Sequence, residues 1–271
     1  MLHKNQNEIC VLMSVYHKDN PNNFYIALQS LINQEEPCDI YLQVDGPVEK
    51  NIKDVIGKFE LKNLKVKFHD KNIGLPAILN LGIKYAKDNS YKYIARMDAD
   101  DFSFKNRLST QKNYLERSQA DLIGSNAEFV FKNQTVRSSN FFMDNSLVSQ
   151  IILKRNPIYH SSVFAKIETF DSAIYNEKFV KAQDWILWAT LISSGKKIEI
   201  IEPVLIRYNI DEEYIKKRSR VSLILYGVYA HWNVLKILRS PNKFYMIYSL
   251  INIIVKTLPV RFQESIYKLK T

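Results

Sequence analysis

Four short apolar runs dominate the first hundred residues, each closed by polar residues and separated from the next by a helical pattern. Ile9 to Tyr16, Ile40 to Val44, Leu64 to Phe68 and Tyr91 to Met97 are rich in β-branched and aromatic residues. Such continuous runs suit strands buried on both faces of a parallel sheet. Between them, Phe24, Leu28, Leu31 and Ile32 recur at helical spacing, and Ile52 to Phe59 is helix-like. Pro76 stands where a first helical turn tolerates it, and Ala77, Leu81, Ile83 and Ala86 continue that helix. Strand–helix alternation of this kind builds βαβ units and a mostly parallel sheet. Ligands of such sheets bind beyond the carboxyl ends of the strands. The polar strand ends Tyr16-His17, Asp45-Gly46 and Asp98-Ala99-Asp100 are therefore expected along one rim.

The second half is less regular. Asn106 to Arg117 reads as a helix, and 121–125 and 128–132 as short strands. A strand over 157–165 would carry His160. Val180 to Ser193 reads as a helix with Trp185, Trp188, Leu191 and Ile192 on an apolar face, closed by Gly195. Lys197 to Ile201 and Val204 to Tyr208 read as strands on either side of Glu202-Pro203. A length of 271 residues suits one large α/β domain with an appendage, and only 7 Gly and 8 Pro argue against long linkers. Cys10 and Cys38 are too few for a disulfide framework and read as plain buried thiols.

Charge divides the chain. Of 38 Lys and Arg, 11 lie in residues 214–271 beside a single acid, Glu264, whereas residues 1–213 hold 27 basic and 27 acidic residues. The predicted division is a main α/β domain over 1–213 and a basic amphipathic helical tail over 214–271. In the tail, Leu225, Val228, Tyr229, Trp232 and Leu235 fall at helical spacing, as do Ile247, Leu250, Ile251, Ile254 and Leu258. Lys236, Arg239, Lys243, Lys256 and Arg261 flank these stripes. Apolar stripes with aromatic residues and flanking cations are the pattern of helices lying in a membrane interface, and the expected partner is an anionic membrane surface; the alternative is that these helices pack on the rest of the protein and show their lysines to water. The apolar stretch from Phe244 to Val255 is too short to span a bilayer, and no signal peptide is read at the N-terminus.

Asp98-Ala99-Asp100-Asp101 offers hard oxygen ligands of the sort that favour Mg2+ or Mn2+, although such acids also serve as helix caps. Asp45 could accept hydrogen bonds from a nucleoside or simply close an Asp-Gly-Pro turn. Asp184, in Gln183-Asp184-Trp185 at a helix start, could serve as a base or be a plain first-turn acid. No Gly-x-Gly-x-x-Gly follows the first strand, which disfavours a dinucleotide-binding or P-loop enzyme.

Taken in order, Val11 to Tyr16, Val44-Asp45-Gly46, Asn72-Ile73-Gly74 with Asn80-Leu81-Gly82, Ala95 to Asp101, Arg107-Leu108 with Gln111, His160 to Val163, and Gln183-Asp184-Trp185 form a specific series. The series resembles the family 2 glycosyltransferases of bacterial polysaccharide synthesis and covers about residues 9–208. The resemblance implies a GT-A fold, a Rossmann-like α/β sheet flanked by helices. It implies transfer of a hexose, with inversion, from a nucleotide sugar such as UDP-glucose or UDP-galactose. The implied acceptor is a lipid-linked saccharide of the undecaprenyl-diphosphate GlcNAc type, in O-antigen or capsule assembly. By the same resemblance Tyr16 and Asp45 hold the base, Asp98 the ribose, Asp100 a divalent Mn2+ or Mg2+, and Asp184 acts as base. His160 matches a histidine that would touch acceptor or diphosphate. Gln183 departs from the family's usual Glu at that position and leaves the following acid in place.

Two rivals remain at this level. A nucleotidyltransferase would need a glycine-rich basic loop after the first strand, which is missing. A non-enzymatic nucleic-acid module would suit the tail charge, but no such motif accompanies it, so nucleic acid is not the expected partner. The expected location is cytoplasmic, peripheral at the inner face of the cell membrane.

Overall fold

The computed structural model describes residues 7–59, 62–131, 134–210 and 221–257. Its first half is a set of parallel strands: β1 (Ile9–Val15), β2 (Cys38–Val44), β3 (Leu64–Phe68) and β4 (Tyr93–Met97), with spatial order β3-β2-β1-β4. The crossovers are α1 (Pro21–Ile32), α2 (Lys50–Gly57) and α3 (Leu75–Asp88). Asn20 caps α1 by accepting from the backbone N–H groups of Asn22 and Asn23, and Pro21 follows at a first-turn position that needs no donor. Val15 lies opposite Val44, and Met13 opposite Met97, so these three strands deliver their next residues to one rim. That rim holds Tyr16, Asp45 and Asp98, as the strand pattern predicts.

Beyond β4 the sheet becomes mixed. β5 (Asp101–Ser103), β6 (Leu122–Phe131), β7 (Gln134–Ser138), β8 (Phe164–Lys166) and β9 (Ile198–Ile210) complete the order β3-β2-β1-β4-β8-β6-β9-β5, with β7 pairing β6. The pairs β4–β8, β8–β6 and β9–β5 are antiparallel, and β6–β9 is parallel. Helices α4 (Arg107–Arg117), α5 (Asn145–Ile151) and α6 (Gln183–Ser193) flank this half. The architecture is the expected α/β one, with a curled central sheet between helices.

Several local expectations are corrected. The two strands anticipated on each side of residues 126–127 are one continuous β6; Lys132 lies outside the described residues. The two around Glu202-Pro203 are likewise one strand, β9, whose pairing with β6 shifts register at Ser125–Ala127. A bulge there absorbs a proline that cannot donate to the ladder. His160 is not in a strand. It opens a 3-10 turn, His160–Ser162, before the short β8. Helix α6 starts at Gln183 rather than Val180, after Ala182 in a left-handed conformation at φ +53°.

Two helices of the tail, α7 (Val221–Ile237) and α8 (Ile247–Thr257), are described. The boundary at 213 and the residues Leu258 and Arg261 lie outside the described residues. Helix α7 packs on α6 through Ala230, His231 and Val234, all buried, with Leu235 beside them. The stripe read from sequence is therefore only partly a packing face. Leu235 is buried, but Leu225, Tyr229 and Trp232 are exposed. No described helix is long and apolar enough to cross a membrane.

Candidate active site

At the rim, Asp45 follows β2 and is buried. Its carboxylate accepts from the backbone N–H of Ile73 at 2.7 Å, that of Gly74 at 3.0 Å, and the Asn72 side-chain amide at 3.0 Å. Asp45 thus ties down the Asn72-Ile73-Gly74 turn that leads into α3. The approach is close: a Cβ on Gly46, whose φ is +86°, would sit 2.6 Å from the Asn72 nitrogen. Only glycine fits there. Tyr16 stands beside this turn at the end of β1, half-buried, with its backbone N–H donating to the Asp19 carboxylate at 2.9 Å.

The end of β4 carries the acidic loop. Asp98, Asp100 and Asp101 each bring a carboxylate oxygen within 4.8 Å of the others. Asp98 is half-buried, Asp100 exposed and Asp101 buried. None of them caps α4: Asp101 begins β5, and Asn106 precedes the helix. The buried Arg96 guanidinium pairs with Asp98 and donates to the Ser161 hydroxyl at 2.9 Å. Ser161 contacts both Asp98, at 2.9 Å, and Asp101. One hydroxyl proton cannot satisfy two carboxylates. Burial works against ionising Asp98, yet the Arg96 charge and hydrogen bond outweigh it and hold its carboxyl below the usual range. Burial, followed by repulsion from Asp100 and Asp98, pushes the Asp101 carboxyl well up. Three hard oxygen donors that repel one another fit a divalent Mg2+ or Mn2+, which would relieve that repulsion.

This loop rests on a buried polar layer. The fully buried Arg107 of α4 donates to the Arg96 carbonyl at 2.8 Å and the Val163 carbonyl at 3.2 Å. Its Nε donates to Gln111 Oε1 at 3.0 Å, and the Gln111 amide donates to the Ser162 carbonyl at 2.7 Å. Burial pulls the Arg107 guanidinium down to about 9, which leaves it cationic at neutral pH. One helix therefore holds both the end of β4 and the 3-10 turn that delivers Ser161. Sequence reasoning gave neither Ser161 nor this support a role. The available signal was Arg107 and Gln111 falling four apart on the same stripe as Leu108 and Leu115, where charge is costly unless partnered.

His160 points to Tyr175, with Nε2 2.7 Å from its hydroxyl, and lies 6.0 Å from the Trp188 ring centre. Burial, then the Arg96 charge, holds its imidazole well below its usual pKa, so it is neutral at pH 7. Asp184 sits in the first turn of α6, where the macrodipole favours an anion. Its Oδ2 accepts from the Asn156 amide at 2.7 Å. Burial nonetheless raises its carboxyl, while the Trp185 backbone N–H, the Arg96 charge and Asn156 oppose the rise. Arg96 thus acts electrostatically on Asp98, His160 and Asp184 alike. Gln183, which precedes Asp184 at the start of α6, is buried. A separate cleft of about 530 Å³, lined by Tyr114, Arg117, Phe142 and Pro203 among others, shares no residue with this site.

The sequence and the fold are similar to those of known glycosyltransferases. The chain is 26% identical over 261 residues to an amylovoran biosynthesis glycosyltransferase, AmsE, of Erwinia amylovora, covering 95% of this chain and 97% of that one. It is 26% identical over 263 residues to a UDP-Gal:alpha-D-GlcNAc-diphosphoundecaprenol beta-1,3-galactosyltransferase of Escherichia coli, covering 95% and 94%. The crystal structure of S. aureus TarS residues 1–349 in complex with UDP shares its fold, with a TM-score of 0.65 at 16% identity over 95% of this chain and 77% of that one. The Glycosyl transferase family 2 model matches residues 10–170, which include the Asp45 turn, the acidic loop and the His160 turn. The chain belongs to glycosyl transferase family 2.

Proposed function

We propose that this glycosyltransferase moves a hexose, with inversion, from a UDP-sugar to a lipid-linked saccharide during bacterial polysaccharide assembly. UDP-glucose or UDP-galactose is the donor, and an undecaprenyl-diphosphate GlcNAc type of lipid is the acceptor. The observation that carries the reading is the pairing of two acidic elements around Arg96. They are a cation-competent triad at the carboxyl end of β4 and a single half-buried carboxylate at the start of α6. Two full-length relatives named for polysaccharide or lipid-linked galactosyl transfer support the pathway and acceptor class. Family membership selects transfer over the nucleotidyltransferase and nucleic-acid readings.

In this reading Tyr16 and the turn tied by Asp45 receive the base, and Asp98 receives the ribose. Asp100, with Asp98 and Asp101 beside it, would hold Mn2+ or Mg2+, whose chemistry is to neutralise charge on the departing diphosphate. Asp184 takes the proton from the acceptor hydroxyl as that oxygen bonds to the anomeric carbon. The bond from that carbon to the diphosphate oxygen breaks on the opposite face, and its electron pair leaves with UDP. A single displacement inverts the centre and needs one side-chain base, unlike the carboxylate pair of a glycosidase. His160, neutral and bonded to Tyr175, presents a polar edge to acceptor or diphosphate.

The tail supplies the site of action. Leu225, Tyr229 and Trp232 of α7, with Phe244, Leu250 and Ile251 beyond, are all exposed. Exposed apolar residues beside an excess of cations suit an anionic membrane surface. In this reading the enzyme works peripherally at the cytoplasmic face of the cell membrane, where a lipid-linked acceptor presents its sugar.

The test is turnover across a panel of UDP-sugars with an undecaprenyl-diphosphate GlcNAc analogue, with and without Mn2+ or Mg2+. UDP release should require acceptor and cation, and Asp100→Ala should abolish it. Asp100→Ala at near wild-type rate with an unchanged metal response would overturn the assignment.

A further inference from the structure

Helix α7 does more than offer an exposed face. Its buried His231 sends Nε2 to the Leu153 carbonyl at 2.8 Å, just past the end of α5. A carbonyl can only accept, so Nε2 carries the proton and Nδ1 accepts from the Ser249 hydroxyl at 2.6 Å. The neighbouring Ile152 carbonyl accepts from the Trp185 indole at 3.0 Å. The Trp185 and His231 rings pack with centres 5.0 Å apart. Two adjacent carbonyls are thus fixed by two rings in contact, one following Asp184 in α6 and one from the tail. Three residues beyond Leu153 comes Asn156. The Ile158 N–H donates to Asn156 Oδ1 at 3.2 Å, which turns the Asn156 amide N–H toward Asp184 Oδ2, 2.7 Å away.

We infer that Asn156 is a positioning residue for Asp184, and that the tail helix α7 holds it in place through the His231–Leu153 bond. The inference rests on Asp184 being the base. A donor on one carboxylate oxygen fixes the rotamer and leaves the other oxygen for the acceptor hydroxyl. Among the described residues, Arg96 from β4 and Tyr175 from the segment before α6 interact electrostatically with Asp184. Against that constant background, the Asn156 hydrogen bond favours the ionised base. Helix α7 is consequently part of the catalytic geometry, separately from any contact it makes with lipid.

The full-length chain is assayed for kcat and kcat/KM against pH, with UDP-galactose or UDP-glucose and the undecaprenyl-diphosphate GlcNAc analogue. UDP affinity is measured by calorimetry. Asn156→Ala should move the acid limb of kcat/KM to higher pH and lower kcat by about 10–100-fold, with UDP affinity unchanged. Asn156→Asp, isosteric and so safe for folding, should move the limb further, because a like charge disfavours ionisation of the base. His231→Phe fills the ring space without the donor and should shift the limb in the same direction. His231→Gln, whose amide can still donate to Leu153, should restore it. A wild-type acid limb in both Asn156 variants overturns the positioning role. A His231→Phe enzyme that loses rate without moving the limb overturns the part played by the tail. Full activity in Asp184→Asn would instead remove the base itself, an outcome distinct from these.

Discussion

Gly46 and Gly195 share nearly the same backbone torsion, φ +86° and +82°, but not the same surroundings. An added Cβ on Gly46 meets the Asn72 backbone nitrogen at 2.6 Å, whereas nothing lies within 4 Å of one on Gly195. Alanine in the left-handed region costs about 1–2 kcal/mol at either position. At Gly46 the collision is with backbone, which cannot rotate away, so overpacking adds about 1–3 kcal/mol. Gly46→Ala should therefore lose about 2–5 kcal/mol, and Gly195→Ala about 1–2 kcal/mol. Urea melts of both variants, analysed with a shared slope, read the difference. The displaced turn is the one that Asp45 holds through Ile73, Gly74 and Asn72. UDP affinity, measured calorimetrically at a temperature where both variants are folded, should thus fall for Gly46→Ala and stay unchanged for Gly195→Ala. Equal destabilisation by the two substitutions, or an unaltered UDP affinity in Gly46→Ala, would refute the close approach and its link to the donor rim.

Asp184→Asn should keep the fold and UDP affinity while losing about 10²–10⁴-fold in rate, measured by steady-state UDP release. With Asp184 as the proposed base its ionised carboxylate is the working form, so activity should fall as pH drops through a pKa that burial raises above the ordinary aspartate value. Arg107→Met leaves the Arg96 and Val163 carbonyls and Gln111 without their buried donor. It should cost about 2–4 kcal/mol in a urea melt, and a loss under about 1 kcal/mol would contradict the support described. In flotation with anionic liposomes at low salt, the intact chain should co-float and a chain ending near residue 213 should not; two soluble chains would leave the tail a purely structural element.

Strand–helix alternation made the parallel half readable because parallel strands are buried on both faces and so advertise themselves as continuous apolar runs. Leu64–Phe68 has the bounds its pattern predicts, and the three polar strand ends share a rim. The antiparallel half was harder. Ile158 and Val163 flank His160 like strand residues, but Ser162 donates both its N–H, at 2.9 Å, and its hydroxyl, at 2.7 Å, to the Tyr159 carbonyl. That local bonding competes with a ladder and winds the segment into a 3-10 turn. Asp98, Asp100 and Asp184 could be picked out as candidates because each lies in a short local motif at a strand or helix end, where acids also serve as ordinary caps and first-turn residues. Ser161 and Asn156 could not, because ordinary polar residues acquire meaning only from partners 63 and 28 positions away. In the tail, periodicity found the helices but not which face packs, since apolar residues occupy more than one side of α7.

The Arg107 guanidinium has a consequence for how the acidic loop can open. It clasps the end of β4 and the approach to β8 in one hand, and Gln111 clasps the 3-10 turn from the same helix. Local opening normally lets a ligand loop exchange its amide hydrogens far more readily than the core does. Here the Arg96 amide, bonded to the Val163 carbonyl at 3.0 Å, cannot be freed without also parting α4 from the sheet. The loop and the core should then form one cooperative unit in hydrogen exchange. Adaptation to different donors and acceptors would accordingly fall to residues outside that unit, on the Asn72–Gly74 turn and the segment before α6, where the backbone can shift without breaking the clasp.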